Sequence, residues 1–284
     1  MSPGKAALPI VLVPVGADEA ALDACLAALD AGTPGGTRVW LADNAQAGPR
    51  GAEVIERWLR RTPLQAAHTR RASPIDEAAH IDDALRACGD ADVAVLAGDA
   101  RPAPGWLERL ADCLASDPAI ATATPWSNAG EAAAWPRIGE IVSLDASPTL
   151  LAQACAGLEH RYPDLPAAVS HAVLLRGSAR AQTGGLDAAS YRSWYAALID
   201  LSLRLAGLGG RSVLCETAFV LRAAEGAPRD GDMDTLSARW PAWHARIAQH
   251  LMDDPQRALR RQLDEALARL SRLPPQADLF GGLP

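Results

Sequence analysis

A chain of 284 residues, 49% hydrophobic and 21% charged, can bury a sizeable core in one α/β domain, or in one domain with a helical appendage. Its 27 basic and 34 acidic side chains leave a net charge of −7, which argues against a general nucleic-acid binder with a basic face. Lys5 is the single lysine, so lysine Schiff-base chemistry and a phosphate-loop lysine are excluded from the body of the chain.

The opening MSPGKAALPIVLVPVG is interrupted by Pro9 and Pro14 and reads as a buried first strand, not as a signal peptide. Ile10 to Val15 forms that strand, and Leu22, Cys25, Leu26 and Leu29 then share one helical face. Val39–Trp40–Leu41 is a second strand, stopped by Asp43–Asn44, and Val54, Ile55, Trp58 and Leu59 recur at helical spacing. A third strand lies near Leu64 to Thr69, a helix runs from about Ile75 to Cys88, and Val93 to Leu96 is a fourth strand. Trp106 to Leu114 is amphipathic. Such alternation predicts a mainly parallel sheet flanked by helices, with ligands beyond the carboxyl ends of the strands. Asp43–Asn44 and Gly98–Asp99 each follow a strand and so fall on that rim.

Further on, Ile120 to Thr124 reads as a strand leading into the loop Pro125–Trp126–Ser127–Asn128, and Ala172 to Arg176 as another. Leu198 to Leu208 is helical, Ser212 to Leu221 strand-like, Ala223 to Asp234 a mobile surface loop, and Thr235 to Leu273 helical and Arg-rich. The expected organisation is an α/β domain over 1–225, a C-terminal helical extension over 235–273 and a flexible tail over 274–284. No stretch approaches the ~20 apolar residues that span a bilayer. Five scattered cysteines with no CxxC pair favour neither a disulfide framework nor a zinc site. The expected location is the cytoplasm.

Four segments, in order, resemble the family-2 glycosyltransferases of the GT-A fold. PIVLVPVGADEAALDACLAAL is similar to that family's first strand and helix, and RVWLADNAQAGPRGAEVIERWL to its second strand. ADVAVLAGDARPAPGWLERLADCLASDPAIATATPWSN is similar to the strand bearing the metal motif and the Ser-Asn loop after it. LLRGSARAQTGGLDAASYRSWYAALIDLSLRLAGLGGRSVL is similar to the acceptor-side segment. The resemblance implies a Rossmann-like GT-A domain that moves a sugar from a nucleotide-diphosphate donor to a glycan, lipid-linked or protein acceptor. It also implies a role in bacterial polysaccharide, lipopolysaccharide or glycoprotein assembly. Such chemistry needs an acid at the nucleotide base, Mg or Mn on an Asp-x-Asp motif against the leaving diphosphate, and a carboxylate that deprotonates the attacking hydroxyl.

Carried over residue by residue, the resemblance places Asp43 at the nucleotide base with Val13–Pro14 beside it; an Asx turn at the strand end is the alternative. Asp82 falls where the family has a nucleotide-proximal asparagine, or is a solvated helix residue. The metal triplet stands here as Ala97–Gly98–Asp99, so Asp99 alone is left as a ligand, or else it caps the turn that follows. One carboxylate holds Mg or Mn weakly or not at all. The acidic pair aligned with the general base stands as Ala197–Leu198, which leaves Asp200, with Glu140 and Asp187 as unaligned substitutes. Arg222 occupies the place of a metal-site histidine. Asn128 and Ser127 are set to reach a sugar hydroxyl, and Trp194, Tyr195 and Trp126 to stack on an acceptor or to pack between helices.

Two readings follow. Arg222 supplies the positive charge in place of the metal, bonding the diphosphate with its guanidinium fork; or the chain is an inactive pseudo-glycosyltransferase that serves as a binding module or as partner to another glycosyltransferase.

The six histidines show no ligand spacing. Asp230, Asp232 and Asp234 resemble the start of a calcium loop, but the glycine falls second and Pro241 stands twelfth, so they read as a solvated loop. Trp240, Trp243, Ile247 and Leu251 should pack the C-terminal helix onto the domain. The helix from Pro255 to Leu273 sets Arg257, Arg260, Arg261, Arg269 and Arg272 against Leu259, Leu263, Leu267 and Leu270, and either contacts the inner face of an anionic membrane peripherally or presents a solvated arginine face. Gln276–Ala277–Asp278–Leu279–Phe280 resembles the peptide that docks bacterial replication proteins on the sliding clamp.

Overall fold

A computed structural model describes residues 8–272. The first ninety described residues follow strict alternation: β1 (Ile10–Val15), α1 (Glu19–Gly32), β2 (Arg38–Asp43), α2 (Pro49–Leu59), β3 (Gln65–Arg70), α3 (Glu77–Ala87) and β4 (Val93–Leu96). Along β1, Val11, Val13 and Val15 point to one face and Ile10 and Leu12 to the other, as the period of two requires. Both faces are covered, so the strand is apolar throughout. The first face packs Leu22, Leu26 and Leu29 of α1 with Ile55 and Trp58 of α2. The second packs Ile81 and Leu85 of α3. α1 starts where Asp18 accepts from the amides of Ala20 and Ala21, both at 3.0 Å, which satisfies two of the donors that a helix N-terminus leaves free.

The second half adds β5 (Arg101–Pro102), α4 (Trp106–Ser116), β6 (Ile120–Trp126), α5 (Pro148–Ala156), β7 (Ala172–Leu175), α6 (Gly177–Thr183), α7 (Trp194–Gly207) and β8 (Arg211–Leu221). The eight strands are ordered β3-β2-β1-β4-β7-β6-β8-β5. Here the sheet departs from the expected mainly parallel form and is mixed. β1, β2, β3 and β4 pair in parallel, β7 runs antiparallel to both β4 and β6, β6 and β8 are parallel, and β5 is antiparallel to β8. The reason lies in the connection. β6 ends at the carboxyl rim, and residues 127–171 make an excursion that re-enters at the same rim, so the next strand must run back.

The helices α8 (Asp232–Arg239), α9 (Trp243–Asp253) and α10 (Arg257–Arg272) close the described chain. Trp243 is buried as the apolar spacing predicts, whereas Leu251 is 39% exposed, so the stripe seats only the first half of α9. The leucine face of α10 is buried: Leu259 and Leu263 pack with Leu151 of α5 and with Trp126. Arg260 is buried with them, paired with Asp254 and stacked over the Trp126 ring at 5.9 Å. That face is therefore not free to enter a lipid surface. Among the described residues no helix is long and apolar enough to cross a membrane. The tail over 274–284, with its Gln276–Phe280 motif, lies outside the described residues.

Candidate functional site

The carboxyl ends of β1, β2 and β4 open into a cleft of about 850 Å³, bounded on its far side by the start of α7 and the segment after β8. Beyond β4 the chain passes Ala97–Gly98–Asp99. A Cβ on Gly98 would stand 2.5 Å from the carbonyl oxygen of Pro14, so glycine alone lets the ends of β1 and β4 approach this closely. Asp99 is thereby fixed on the cleft wall.

Arg222, the first residue beyond β8, faces it. Its Nε donates to both carboxylate oxygens of Asp99, at 2.8 and 3.0 Å. The Arg222 backbone is clamped by the Asn128 side chain, which accepts from its amide at 2.8 Å and donates to its carbonyl at 2.8 Å. The Arg222 side chain is only 13% exposed, and its Nη1 is buried with no partner among the described residues. His171 lies close by, fully buried, with a pKa lowered to about 3, first by burial and then by the charge of Arg222. The imidazole is thus neutral and the positive charge in this corner belongs to Arg222.

Two of the similar solved folds reported below hold Mn2+, and here Asp99 is the one carboxylate left of the metal triplet. Mg and Mn take several oxygen ligands, and both oxygens of Asp99 already face a guanidinium. No group of three histidine, cysteine, aspartate or glutamate residues among the described residues is arranged to hold a metal.

Of the residues that the sequence singled out, Pro14, Asp99, Trp194, Tyr195 and Arg222 border the cleft together. The others stand elsewhere. Asp43 is fully buried, accepts from the amides of Gln46 and Ala47 at 2.7 and 3.2 Å, and pairs with Arg70 at 3.0 Å. It closes the turn after β2, and its carboxylate has no face left for a nucleobase. Asp82 accepts from the amide of Leu186 at 2.8 Å and pairs with Arg86 at 2.6 Å, beside a separate recess that contains Arg180. Asn128 uses its amide nitrogen on the carbonyls of Val142 and Arg222, so it positions Arg222 and is not free for a sugar.

Asp200 is fully buried, bonded to Arg204 at 2.8 Å and to the Trp240 ring nitrogen at 2.9 Å, with Arg239 at 3.3 Å. It ties α7 to α8 and does not border the cleft. Asp200→Ala is expected to destabilise the fold by about 3 kcal/mol, because it leaves the Arg204 charge without its carboxylate, held only by the carbonyls of Thr183 and Gly185; the midpoint of urea denaturation checks this. Ala197 and Leu198, aligned with the acidic pair of the base, are fully buried. Glu140 pairs with Arg137 and Asp187 with Arg239, both outside the cleft.

Other acids at or near the cleft were not singled out as site residues by the sequence. Glu131, in a 3-10 turn after Asn128, has a left-handed backbone (φ 47°), a conformation that costs energy in a residue with a side chain. Its carboxyl is pushed up to about 6 by burial, opposed by a hydrogen bond from Tyr195 and reinforced by the charge of Glu225. Glu225 borders the cleft with one carboxylate oxygen buried and without a partner among the described residues. Glu131 stands behind Tyr195 and Ser170, beside a void large enough for about one water. The only sequence signal for Glu131 is an isolated acid in the alanine-rich run after Asn128. Asp232, expected in a solvated loop, is 2% exposed and accepts from the amides of Arg192 and Ser193 at 2.9 and 3.0 Å, fixing the entry to α7.

Comparison with family models and with curated protein sequences gives no match. Comparison with solved structures does. A mannosyltransferase from Pyrobaculum calidifontis in complex with GDP-Man and Mn2+ is similar at a TM-score of 0.56 and 14% identity, over 95% of this chain and 79% of that one. GalNAc-T7 with UDP, GalNAc and Mn2+ is similar at 0.60 and 11% identity, over 92% of this chain but only 55% of that one. S. aureus TarS residues 1–349 in complex with UDP-GlcNAc are similar at 0.55 and 12% identity, over 92% of this chain and 71% of that one. At these identities the likeness is one of fold: the chain has a GT-A-like glycosyltransferase fold.

Proposed function

We propose that the cleft binds a nucleoside-diphosphate sugar and transfers its sugar without a divalent cation, the Arg222 guanidinium standing where the metal is otherwise required. The observation that carries this reading is the Asp99–Arg222 pair on the border of the cleft, with a guanidinium Nη1 that has no partner among the described residues. A guanidinium held by a carboxylate on one edge offers its other edge to phosphate oxygens, and charge-assisted bonds of that kind are the strong ones. Negative charge grows on the diphosphate as it leaves, so a cation fixed in advance lowers the barrier more than it tightens the ground state.

The attacking hydroxyl needs a proton acceptor, and neither Ala197 nor Leu198 is one. Tyr195 borders the cleft and lines, with Glu131, the small void behind it, so the proton of the acceptor hydroxyl passes to the phenol oxygen as the phenol proton passes to Glu131. Trp194 and Tyr195 form the wall on which an acceptor sugar would rest. The acceptor is a hydroxyl of a glycan, a lipid-linked saccharide or a protein, in bacterial surface-polymer assembly.

The test is release of nucleoside diphosphate from UDP-GlcNAc and GDP-Man in EDTA and in Mn2+. Turnover unchanged by EDTA supports the reading, and turnover that requires Mn2+ defeats it. A second reading, a pseudo-glycosyltransferase that binds nucleotide without transfer, is favoured by the burial of Ala197 and Leu198. Tight nucleotide binding with neither transfer nor hydrolysis would decide for it.

A further inference from the structure

One buried polar atom at the opposite end of the cleft from Arg222 has no partner in the described chain. His80, on α3, is 6% exposed and borders the cleft beside Asn44 and Ile75. Its Nε2 lies 3.1 Å from the carbonyl oxygen of Ala42 on β2. A carbonyl oxygen only accepts, so Nε2 carries hydrogen, and in the neutral ring Nδ1 keeps a lone pair. That Nδ1 is buried and unpartnered. An unmet buried acceptor is costly, and a ligand that donates to it removes the cost.

The neighbouring acceptors are already engaged. Both oxygens of Asp43 are taken, by backbone amides and by Arg70. The Asn44 amide group is closed on Ile75, donating to its carbonyl at 2.8 Å and accepting from its amide at 3.0 Å. His80 Nδ1 is thus a buried acceptor left open at this end among the described residues. Its anchor lies at the end of β2, and Asp99 lies beyond β4, with β1 between them. Two strand spacings are roughly 10 Å, a separation that a ribose bridges between its base and its phosphates.

Resting on the donor reading above, we infer that His80 Nδ1 accepts the ring N–H of the donor's base, the N3–H of uracil or the N1–H of guanine. Cytosine and adenine carry a lone pair at the equivalent ring nitrogen. Two lone pairs would then face each other in a buried site, and a site built around one hydrogen bond rejects the analogue that lacks it.

The test is a calorimetric titration of UDP, CDP, GDP and ADP into the wild type and into His80→Gln. The glutamine amide nitrogen reaches the place of Nε2 and preserves the bond to Ala42, while the Nδ1 acceptor is gone. The wild type is expected to prefer UDP over CDP, or GDP over ADP, by about tenfold or more, and His80→Gln to lose that preference while keeping the weaker affinity. Methylation of UDP at N3, tested on the wild type alone, should cost a similar factor and does not depend on how the variant folds. Equal affinities within both pairs for the wild type, or a preference that persists in His80→Gln, would overturn the assignment and leave the donor reading intact. If neither UDP nor GDP binds the wild type, the donor reading fails and this inference with it.

Discussion

Replacing Arg222 with alanine is expected to weaken nucleoside-diphosphate binding by about 100-fold while leaving the fold in place. The backbone of residue 222 is held by Asn128 through its own amide and carbonyl, and those bonds do not depend on the side chain. The loss falls on the cleft. Removing one member of a buried, hydrogen-bonded charge pair typically costs several kcal/mol, and a factor of 100 is about 2.7 kcal/mol. Asp99 would then stand as an uncompensated carboxylate facing the phosphates, adding repulsion to the lost attraction. A second consequence separates this account from simple damage. With the guanidinium gone, Asp99 becomes available to a cation, so Arg222→Ala should regain part of its affinity in millimolar Mn2+, whereas the wild type should not respond. Arg222→Lys should recover little, because an ammonium cannot pair with a carboxylate on one edge and phosphate on another in the same planar fork. Titration of UDP or GDP into the three proteins, in EDTA and in Mn2+, reads all of this.

Glu131→Gln should lower turnover by 10²–10⁴, the usual span for loss of a proton acceptor, with nucleotide affinity changed less than about twofold. The wild-type rate should rise with pH around about 6, since the carboxyl must be ionised to take the proton, and that limb should vanish in the variant. Stability supplies an independent reading. The folded carboxyl titrates near about 6 against an ordinary 4.5, so between those values the folded state binds more protons than the unfolded chain. Stability from this group is then full below pH 4.5 and falls as pH rises through 6. Glu131→Gln should remove that fall and so be more stable than the wild type at pH 8, by on the order of 1–2 kcal/mol. A residue that only held the turn in place would leave the pH profile of turnover untouched.

The first four strands and their helices were legible because burial on both faces writes itself as short apolar runs, and amphipathic helices as apolar repeats. Asp99 was legible as a rim residue because it directly follows β4. What stayed hidden depends on contacts between distant segments. Asp43 looks like a free acid at a strand end, and only the register of β2 on β3, which places Arg70 opposite it, shows that it is taken. The reversed direction of β7 follows from where a 45-residue excursion re-enters the sheet, which no local periodicity encodes. His80 carries no spacing signal, since its anchor is Ala42, 38 residues earlier. Asp232 resembled a solvated loop acid because a buried cap for the start of another helix reads in sequence like any aspartate beside glycine.

The degraded metal motif and the arginine that faces its last acid support one proposal, that the cleft holds a diphosphate by itself. Calorimetric titration of UDP and of GDP into the wild-type chain, in EDTA and again in excess Mn2+, tests it most directly. Binding of at least one of them in EDTA is expected, with a dissociation constant that Mn2+ shifts by less than about twofold. Binding that appears only with Mn2+, or no binding of either nucleotide, would contradict it.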